Sequence, residues 1–172
     1  MNQPGIGDYM PFTPFNPNSA RAKAGLKFQQ DVFNKLKDKY PEIEFEMTWD
    51  FYKNQDPSLT NKELAIIEKK QGDITYVYQG ERRFIECCFA MSKSFSRLCE
   101  MKRRSFVGEN KWYCYGFKNS PEIIFIPSTV WKKFTSHIEK ADKSCRMIPL
   151  ESIKNLRCNR IGINEYWSNA HR

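Results

Sequence analysis

The chain has 172 residues, of which 40% are hydrophobic and 15% aromatic, a composition typical of one packed globular domain and not of a disordered chain. Its formal net charge of +8 favours nucleic acid or another polyanion as the partner. No apolar run approaches the roughly 20 residues that span a bilayer. The N-terminus has no basic segment followed by an apolar one. We therefore expect an intracellular protein with no membrane partner, in the cytoplasm of its own or a host cell or at the nucleoid.

The first predicted elements follow an N-terminal arm, residues 1–20, which contains four prolines and is expected to be extended or disordered. Apolar residues then recur at helical spacing, in a stripe made up of Leu26, Val32, Phe33 and Leu36. This stripe predicts a helix that ends at Pro41. Alternating apolar and polar residues predict a strand with one buried face over residues 42–51. Thr60 and Glu63 have the spacing of a capping box, which predicts a second helix.

Helices and strands continue to alternate in the rest of the chain. Residues 72–90 predict a β-hairpin, residues 92–106 a helix, and the stretches KWYCYGF and EIIFIP two more strands. A further helix is predicted to begin at Ser128, and short helices are predicted near the end. The mixture predicts an α/β fold with a central mixed β-sheet flanked by helices. We expect one domain over residues 21–172, in which the part from about residue 128 onwards is basic and helical.

The hairpin carries two acidic residues in otherwise apolar strands. Gly80 provides the positive φ for a two-residue turn at Gln79-Gly80, and counting back from this turn places Asp73 opposite Glu86. Directly opposed side chains on adjacent strands lie about 5 Å apart. Two carboxylates at that distance repel each other unless one holds a proton or a cation lies between them. A divalent metal ion would relieve the repulsion and use both carboxylates as ligands.

Two cysteines follow Glu86. Side chains alternate along a strand, so Cys88 shares the face of Glu86 and Cys87 points to the other face. The chain has six cysteines but no C-x-x-C pair, a pattern that gives little support to a zinc site. We expect the cysteines to be reduced.

This constellation resembles the PD-(D/E)XK nuclease superfamily, in which an acidic residue on one strand and a (D/E)-x-K tripeptide on the next assemble a metal site. The matching residues are Asp73, Glu86, Cys87 and Cys88. The order of elements matches over about residues 22–127. The resemblance implies a restriction-endonuclease-like core and metal-dependent hydrolysis of phosphodiester bonds in nucleic acid, with DNA favoured over RNA. It also implies that Asp73, Glu86 and the backbone carbonyl of Cys87 bind Mg²⁺ or Mn²⁺.

The sequence departs from the family's pattern before and within the hairpin. Gly72 precedes Asp73 where the family has a proline. The first helix offers Gln29 or Gln30 where the family often has a glutamate. Both differences affect residues that adjoin the expected metal site.

The departure with the largest chemical effect is at Cys88, which occupies the position of the family's lysine. That lysine helps to activate the attacking water and to stabilise negative charge, and a thiol does neither well. If the site is active, we expect Lys93 or Lys102 to supply the missing ammonium group. The candidate catalytic residues are then Asp73, Glu86, Cys88, Lys93 and Lys102. The alternative is an inactive nuclease-like fold that binds nucleic acid or, as an inhibitor or adaptor, another protein.

A basic segment after the hairpin is the candidate nucleic-acid-binding surface, and it consists of Lys93, Arg97, Lys102, Arg103 and Arg104. On a helix, Arg97 and Arg104 share a face that could contact phosphates. The acidic residues also have a purely structural interpretation, in which Asp73 only begins a strand and Glu86 pairs with Arg83 or Arg104. An exposed edge strand would allow a homodimer.

Overall fold

The computed structural model of the protein describes residues 18–90, 97–101, 111–118, 123–129, 137–140, 143–149, 167 and 170–171. The helices bounded within these residues are α1 (Ala20–Lys39), α2 (Thr48–Gln55) and α3 (Asn61–Gln71). The strands are β1 (Phe45–Met47), β2 (Ile74–Tyr78), β3 (Glu81–Ala90), β4 (Arg97–Met101), β5 (Lys111–Phe117), β6 (Ile123–Pro127), β7 (His137–Lys140) and β8 (Lys143–Pro149). No helix in these ranges is both long and apolar enough to cross a membrane.

Helices α1 and α3 form where the sequence predicts them, and side chains cap both. The Ser19 hydroxyl accepts a hydrogen bond from the N–H of Ala22 (3.1 Å) at the start of α1. Thr60 and Glu63 make the predicted capping box at the start of α3. The apolar stripe of α1 enters the core through Phe28, Val32 and Leu36.

The strand predicted over residues 42–51 is wrong beyond Met47. Strand β1 ends there, and α2 begins at Thr48, whose backbone N–H donates to the carbonyl of Asp73 (2.9 Å). The aromatic residues after Met47 continue the alternation but are only half-buried, so core packing does not hold them in a strand. Over so short a stretch, alternation did not distinguish a strand from a strand followed by a helix.

Strands β2 and β3 form the hairpin in the predicted register. Gln79 (φ 51°) and Gly80 (φ 79°) both adopt positive φ in the two-residue turn, as a type I′ turn requires. The paired ladder extends back from this turn to Ile74, which lies opposite Ile85. The next residues outward are Asp73 and Glu86.

The hairpin belongs to a mixed sheet with the strand order β1-β2-β3-β5-β6. Strand β3 is parallel to β5, and the other neighbouring strands are antiparallel. Helix α1 packs on β3 and β1, and α3 contacts β3 and α2. These relationships confirm the predicted α/β class, a central mixed sheet flanked by helices.

A second, antiparallel sheet forms in two places where the sequence analysis predicted helices. Its order is β4-β8-β7, with Met101 of β4 opposite Cys145 of β8. Strand β4 lies within residues 92–106, which were predicted to be a helix, and β7 and β8 lie within the part from residue 128 onwards predicted to be helical. Both predictions are wrong for these strands, because the apolar spacing was too short to separate a helix from a strand paired with a distant segment. The rest of both predictions lies largely outside the described residues.

The core is formed by α1, one face of the larger sheet and a few residues from the end of the chain. Trp167 is fully buried, packs 4.5 Å from Phe125 by ring centroids, and stacks on His171 (3.9 Å). Nε2 of His171 accepts from the hydroxyl of Tyr76 (2.6 Å), which leaves Nδ1–H to donate to the carbonyl of Trp167 (3.0 Å). Burial lowers the pKa of His171 to about 4. Trp167 and Ala170 are helical, in agreement with the short helix predicted near the end.

Candidate metal and phosphate site

The turn from α3 into β2 has a backbone shape that suits glycine. Gly72 has a φ of 136°, and its N–H donates to the carbonyl of Glu68 (2.8 Å) at the end of α3. A Cβ atom at this position would lie 3.0 Å from the carbonyl oxygen of Ile85. Proline, with φ near −65° and no N–H, does not fit here. The first departure from the nuclease pattern therefore follows from the way α3 enters β2.

Asp73, the residue after this turn, is 8% exposed and is held from several directions. Its N–H donates to the carbonyl of Ile85 (2.8 Å), and its carbonyl accepts from Thr48. Its carboxylate accepts from the N–H of Cys87 (2.7 Å, at Oδ2) and from Nε2 of Gln29 (3.1 Å, at Oδ1). The carboxylate is therefore fixed between β3 and α1.

Glu86 follows Ile85, the last residue of β3 that pairs with β2, and is half-buried near Glu68 of α3. The pKa of the nearby Glu68 carboxyl is raised, first by burial and then by the negative charge of Glu86. The structure therefore brings a further acidic residue, Glu68, close to Glu86. The sequence analysis missed Glu68 because it lies on a helix whose position relative to β3 is decided by packing.

The two cysteines after Glu86 face opposite sides of β3, as predicted. The thiol of Cys87 meets Cys114, its neighbour in the parallel ladder. Hydrogen bonding to Cys114 and then burial raise the pKa of Cys87 well above its usual range. Cys88 is half-buried, forms no disulfide, and occupies the position of the family's lysine. The backbone N–H of Cys87 donates to the Asp73 carboxylate, whose negative charge contributes to the raised pKa of the Cys87 thiol.

Of the two glutamines that the first helix offers, the structure selects Gln29. Its amide reaches Asp73, whereas Gln30 bonds Asn34 (3.1 Å) one turn further along α1. A glutamine donates to the carboxylate where a glutamate would repel it. The site consequently carries one negative charge fewer than the family's pattern at this point.

Lys111 is a site residue that the sequence analysis did not identify. It begins β5 opposite Phe84, and Tyr113 lies opposite Glu86, so Lys111 and Glu86 share one face of the sheet. Its side chain is buried, with Nζ 3.5 Å from the carbonyl oxygen of Lys70 and 5.4 Å from the centre of the Tyr113 ring. The sequence offered no local motif for it beyond its place at the start of the otherwise apolar stretch KWYCYGF.

The predicted lysines and the basic segment are not brought into this site by the described structure. Lys93, Lys102, Arg103 and Arg104 lie outside the described residues. Arg97 begins β4, opposite Pro149, so the helical face that was to join it to Arg104 is wrong. Arg83 lies 3.5 Å from Glu81 and above the Tyr78 ring, on the face of β3 opposite to Glu86. Ion pairing of Glu86 with Arg83 is therefore not what the structure forms.

The acidic residues suit a hard cation that takes only one or two of its ligands from the protein. Within the described ranges, no group of three or more His, Cys, Asp or Glu side chains is arranged to hold a metal ion. Mg²⁺ requires fewer, because it commonly uses one or two carboxylates and completes its shell with water and phosphate oxygens. Each carboxylate has about four lone-pair positions, so a carboxylate that accepts hydrogen bonds can still coordinate a cation. Asp73 and Glu86 therefore fit Mg²⁺ or Mn²⁺ in ligand type and number.

Comparison with known proteins gives a weak structural similarity. No family model matches the chain, and no curated protein matches it. Among solved structures, Hjc, a Holliday junction resolvase from the archaeal hyperthermophile Archaeoglobus fulgidus, is similar with a TM-score of 0.44 and 13% sequence identity. The similarity covers 79% of this chain and 91% of that protein. At this level it carries no conclusion about the activity of the present chain.

Proposed function

We propose that the chain is a metal-dependent nuclease that hydrolyses phosphodiester bonds, with DNA favoured over RNA as its substrate. The observation that carries the proposal is the Asp73 carboxylate, which is buried and fixed to the β3 backbone beside Glu86. If Asp73 lies opposite Glu86, as the hairpin register predicts, their carboxylates and that of Glu68, which is near Glu86, would create a negative site that a cation stabilises. The net charge of +8 supports a polyanionic substrate despite this local negative charge.

In this proposal the chain's own residues have distinct tasks. Asp73 and Glu86 would hold Mg²⁺ or Mn²⁺, and the carbonyl of Cys87 is a further candidate ligand. A bound divalent ion supplies a water of lowered pKa and stabilises charge on the phosphate. Gln29 orients the Asp73 carboxylate through its 3.1 Å hydrogen bond. Lys93 and Lys102 stay predictions as sources of an ammonium group.

The competing proposal is a nuclease-like fold that binds nucleic acid or a protein partner without cleavage. Two observations favour it. Cys88 stands where the family uses lysine, and both oxygens of Asp73 already accept hydrogen bonds from the protein. A metal-binding measurement separates the two proposals, because an inactive fold has no requirement for a divalent ion.

The test is calorimetric titration of Mg²⁺ and Mn²⁺ into the wild type, Asp73→Asn and Glu86→Gln. A matched control is Asp31→Asn, which removes an exposed carboxylate on α1 that pairs with Lys27 (3.0 Å). We expect binding by the wild type and the control and its loss in both site variants. Cleavage of labelled DNA and RNA duplexes should follow the same pattern. Absence of metal binding by the wild type would reject the nuclease proposal in favour of the inactive fold.

A further inference from the structure

Lys111 is a buried charged residue with one hydrogen-bond acceptor and no ion-pair partner among the described residues. It is 8% exposed, and its Nζ lies at the limit of hydrogen bonding, 3.5 Å, from the carbonyl oxygen of Lys70. An ammonium group has three N–H donors, and in the described part of the chain this carbonyl is its one hydrogen-bond acceptor. No carboxylate among the described residues lies within ion-pair distance of it.

A buried ammonium of this kind is costly unless an anion compensates it. The acidic residues nearby do not supply that compensation by direct contact. Glu68 and Glu86 lie on the same side of the sheet as Lys111, but neither forms an ion pair with it. The dipole at the end of α3 and the Tyr113 ring favour the positive charge only in part.

The position of Lys111 indicates which anion would approach it. Lys70, whose carbonyl it contacts, is three residues before Asp73, and Lys111 shares its sheet face with Glu86. Lys111 therefore lies on the sheet face of Glu86 and near the end of α3 that leads to Asp73, without an ion pair to either carboxylate. A group that bridges a cation on those carboxylates and the ammonium would be anionic and would carry several oxygens, as a phosphate does.

We propose that Lys111 is a phosphate-contacting residue of this site and binds a backbone phosphodiester of nucleic acid. The inference deepens the proposed function and rests on it for the class of ligand. It assigns to β5 part of the positive charge that the family's lysine would have placed at Cys88. The phosphodiester of DNA and that of RNA offer the same oxygens, so both are included in the test.

The experiment compares the wild type with Lys111→Met by fluorescence anisotropy, with a labelled 30-base-pair DNA duplex and an RNA duplex of the same sequence, both with Ca²⁺ as the divalent ion and with EDTA. The salt dependence of the affinity is measured for each. The control is Lys37→Met, which removes an exposed ammonium that lies above the Phe33 ring on α1. We expect Lys111→Met to weaken binding and to reduce the slope of log affinity against log salt by about 1, as for one lost phosphate contact. The control should keep the wild-type slope.

Thermal unfolding of the same variants excludes a purely structural explanation. If the charge of Lys111 is compensated only by a bound phosphate, Lys111→Met replaces an uncompensated buried charge with an apolar side chain of similar length. The unfolding midpoint of this variant should then equal or exceed that of the wild type. If Lys111 serves only to cap α3, the midpoint should fall and binding should not change. Lys111→Gln carries the same expectation for binding and provides a second variant if the methionine variant does not fold.

The outcomes separate this inference from the proposed function. An unchanged affinity and salt slope in a folded Lys111 variant, or no binding of either duplex by the wild type, would overturn the inference. Metal binding at Asp73 and Glu86 together with an unaffected Lys111 variant would leave the proposed function intact and remove only the role of Lys111. Loss of duplex binding in Lys111→Met, with no metal binding by the wild type, would support Lys111 within a non-cleaving fold. A preference of the wild type for one duplex would identify DNA or RNA as the source of the phosphate.

Discussion

The backbone N–H of Cys87 donates a 2.7 Å hydrogen bond to Oδ2 of Asp73, so the carboxylate that precedes β2 is attached to the middle of β3. Gln29 binds the second oxygen from α1. Asp73 therefore connects three elements of the fold as well as being a candidate metal ligand. A substitution of Asp73 can therefore change both the free energy of unfolding and metal binding, and the two effects have to be measured separately.

Asp73→Ala is expected to lower the free energy of unfolding by about 1–3 kcal/mol, because it removes the acceptor of the Cys87 N–H and of the Gln29 amide. Asp73→Asn should lose less, since its amide oxygen can still accept from Cys87. Urea unfolding at neutral pH measures both changes. Equal losses in the two variants would contradict the importance of the acceptor. For the metal titration, Asp73→Asn is therefore the more informative variant.

Gly72→Pro would restore the residue typical of the nuclease family but is expected to destabilise this chain by about 3 kcal/mol or more, because proline cannot reach a φ of 136°. It would also remove the N–H that donates to the carbonyl of Glu68. Gly72→Ala keeps the N–H and isolates the cost of φ and of the Cβ contact with Ile85. Urea unfolding of both variants is the measurement, and wild-type stability of the proline variant would refute the expectation.

Gly116 and Gly25 form a matched pair for testing how tightly α1 packs on β5. A Cβ atom on Gly116 would overlap the ring of Phe28, so Gly116→Ala is expected to destabilise by about 1–3 kcal/mol. Gly25, inside α1, has open space around its Cβ position, and Gly25→Ala should stabilise by about 0.5–1 kcal/mol. Thermal or urea unfolding distinguishes the two. The same sign of change in both variants would contradict the packing described.

The free energy of unfolding should depend on pH because His171 is buried as a neutral imidazole. Its pKa is about 4 in the folded protein and about 6.5 when unfolded. The unfolded chain therefore binds more protons between these values. This contribution to stability is complete above pH 6.5 and is lost as the pH falls towards 4, by about 3 kcal/mol in total.

The measurement for His171 is the difference in unfolding free energy between wild type and His171→Phe from pH 7 to pH 4. Carboxylates affect both proteins alike, so the difference isolates the imidazole. The phenylalanine variant should be less stable at pH 7, because the Tyr76 hydroxyl loses its acceptor, and less sensitive to acid. Parallel pH profiles for the two proteins would show that His171 is not buried as a neutral group.

Cys88→Lys tests whether the absence of a lysine at position 88 limits the rate of cleavage. If the site is an active nuclease, an ammonium group on the face of Glu86 is expected to raise Mn²⁺-dependent cleavage by about tenfold or more through stabilisation of phosphate charge. Val77→Lys adds the same charge at an exposed position of β2 and should have little effect. Equal increases in both variants would indicate a general effect of charge on substrate binding, and no increase would argue that Lys111 or another lysine already fills the role.

Local signals predicted a substantial part of the fold. The stripe of α1, the capping box of Thr60 and Glu63, and the turn at Gln79-Gly80 each depend on residues within a few positions of one another. The turn in turn determined the register of the hairpin, because each residue counted back from it has one partner. The expected opposition of Asp73 and Glu86 extends this register one residue beyond the paired ladder, which ends at Ile74 and Ile85, and stays a prediction.

The tertiary structure decided what depends on distant partners. Strands β4, β7 and β8 form where helices were predicted. Strand β4 pairs with β8 across more than 40 residues, and β7 pairs with the neighbouring β8 in the same sheet, so strand pairing outweighed weak local spacing. Glu68 and Lys111 reach the site because α3 and β5 pack beside β3, and neither position has a local motif. Turns and helix caps depend on residues that are close in sequence, so the sequence alone predicts them. The charge balance of a site depends on which separate segments the core brings together.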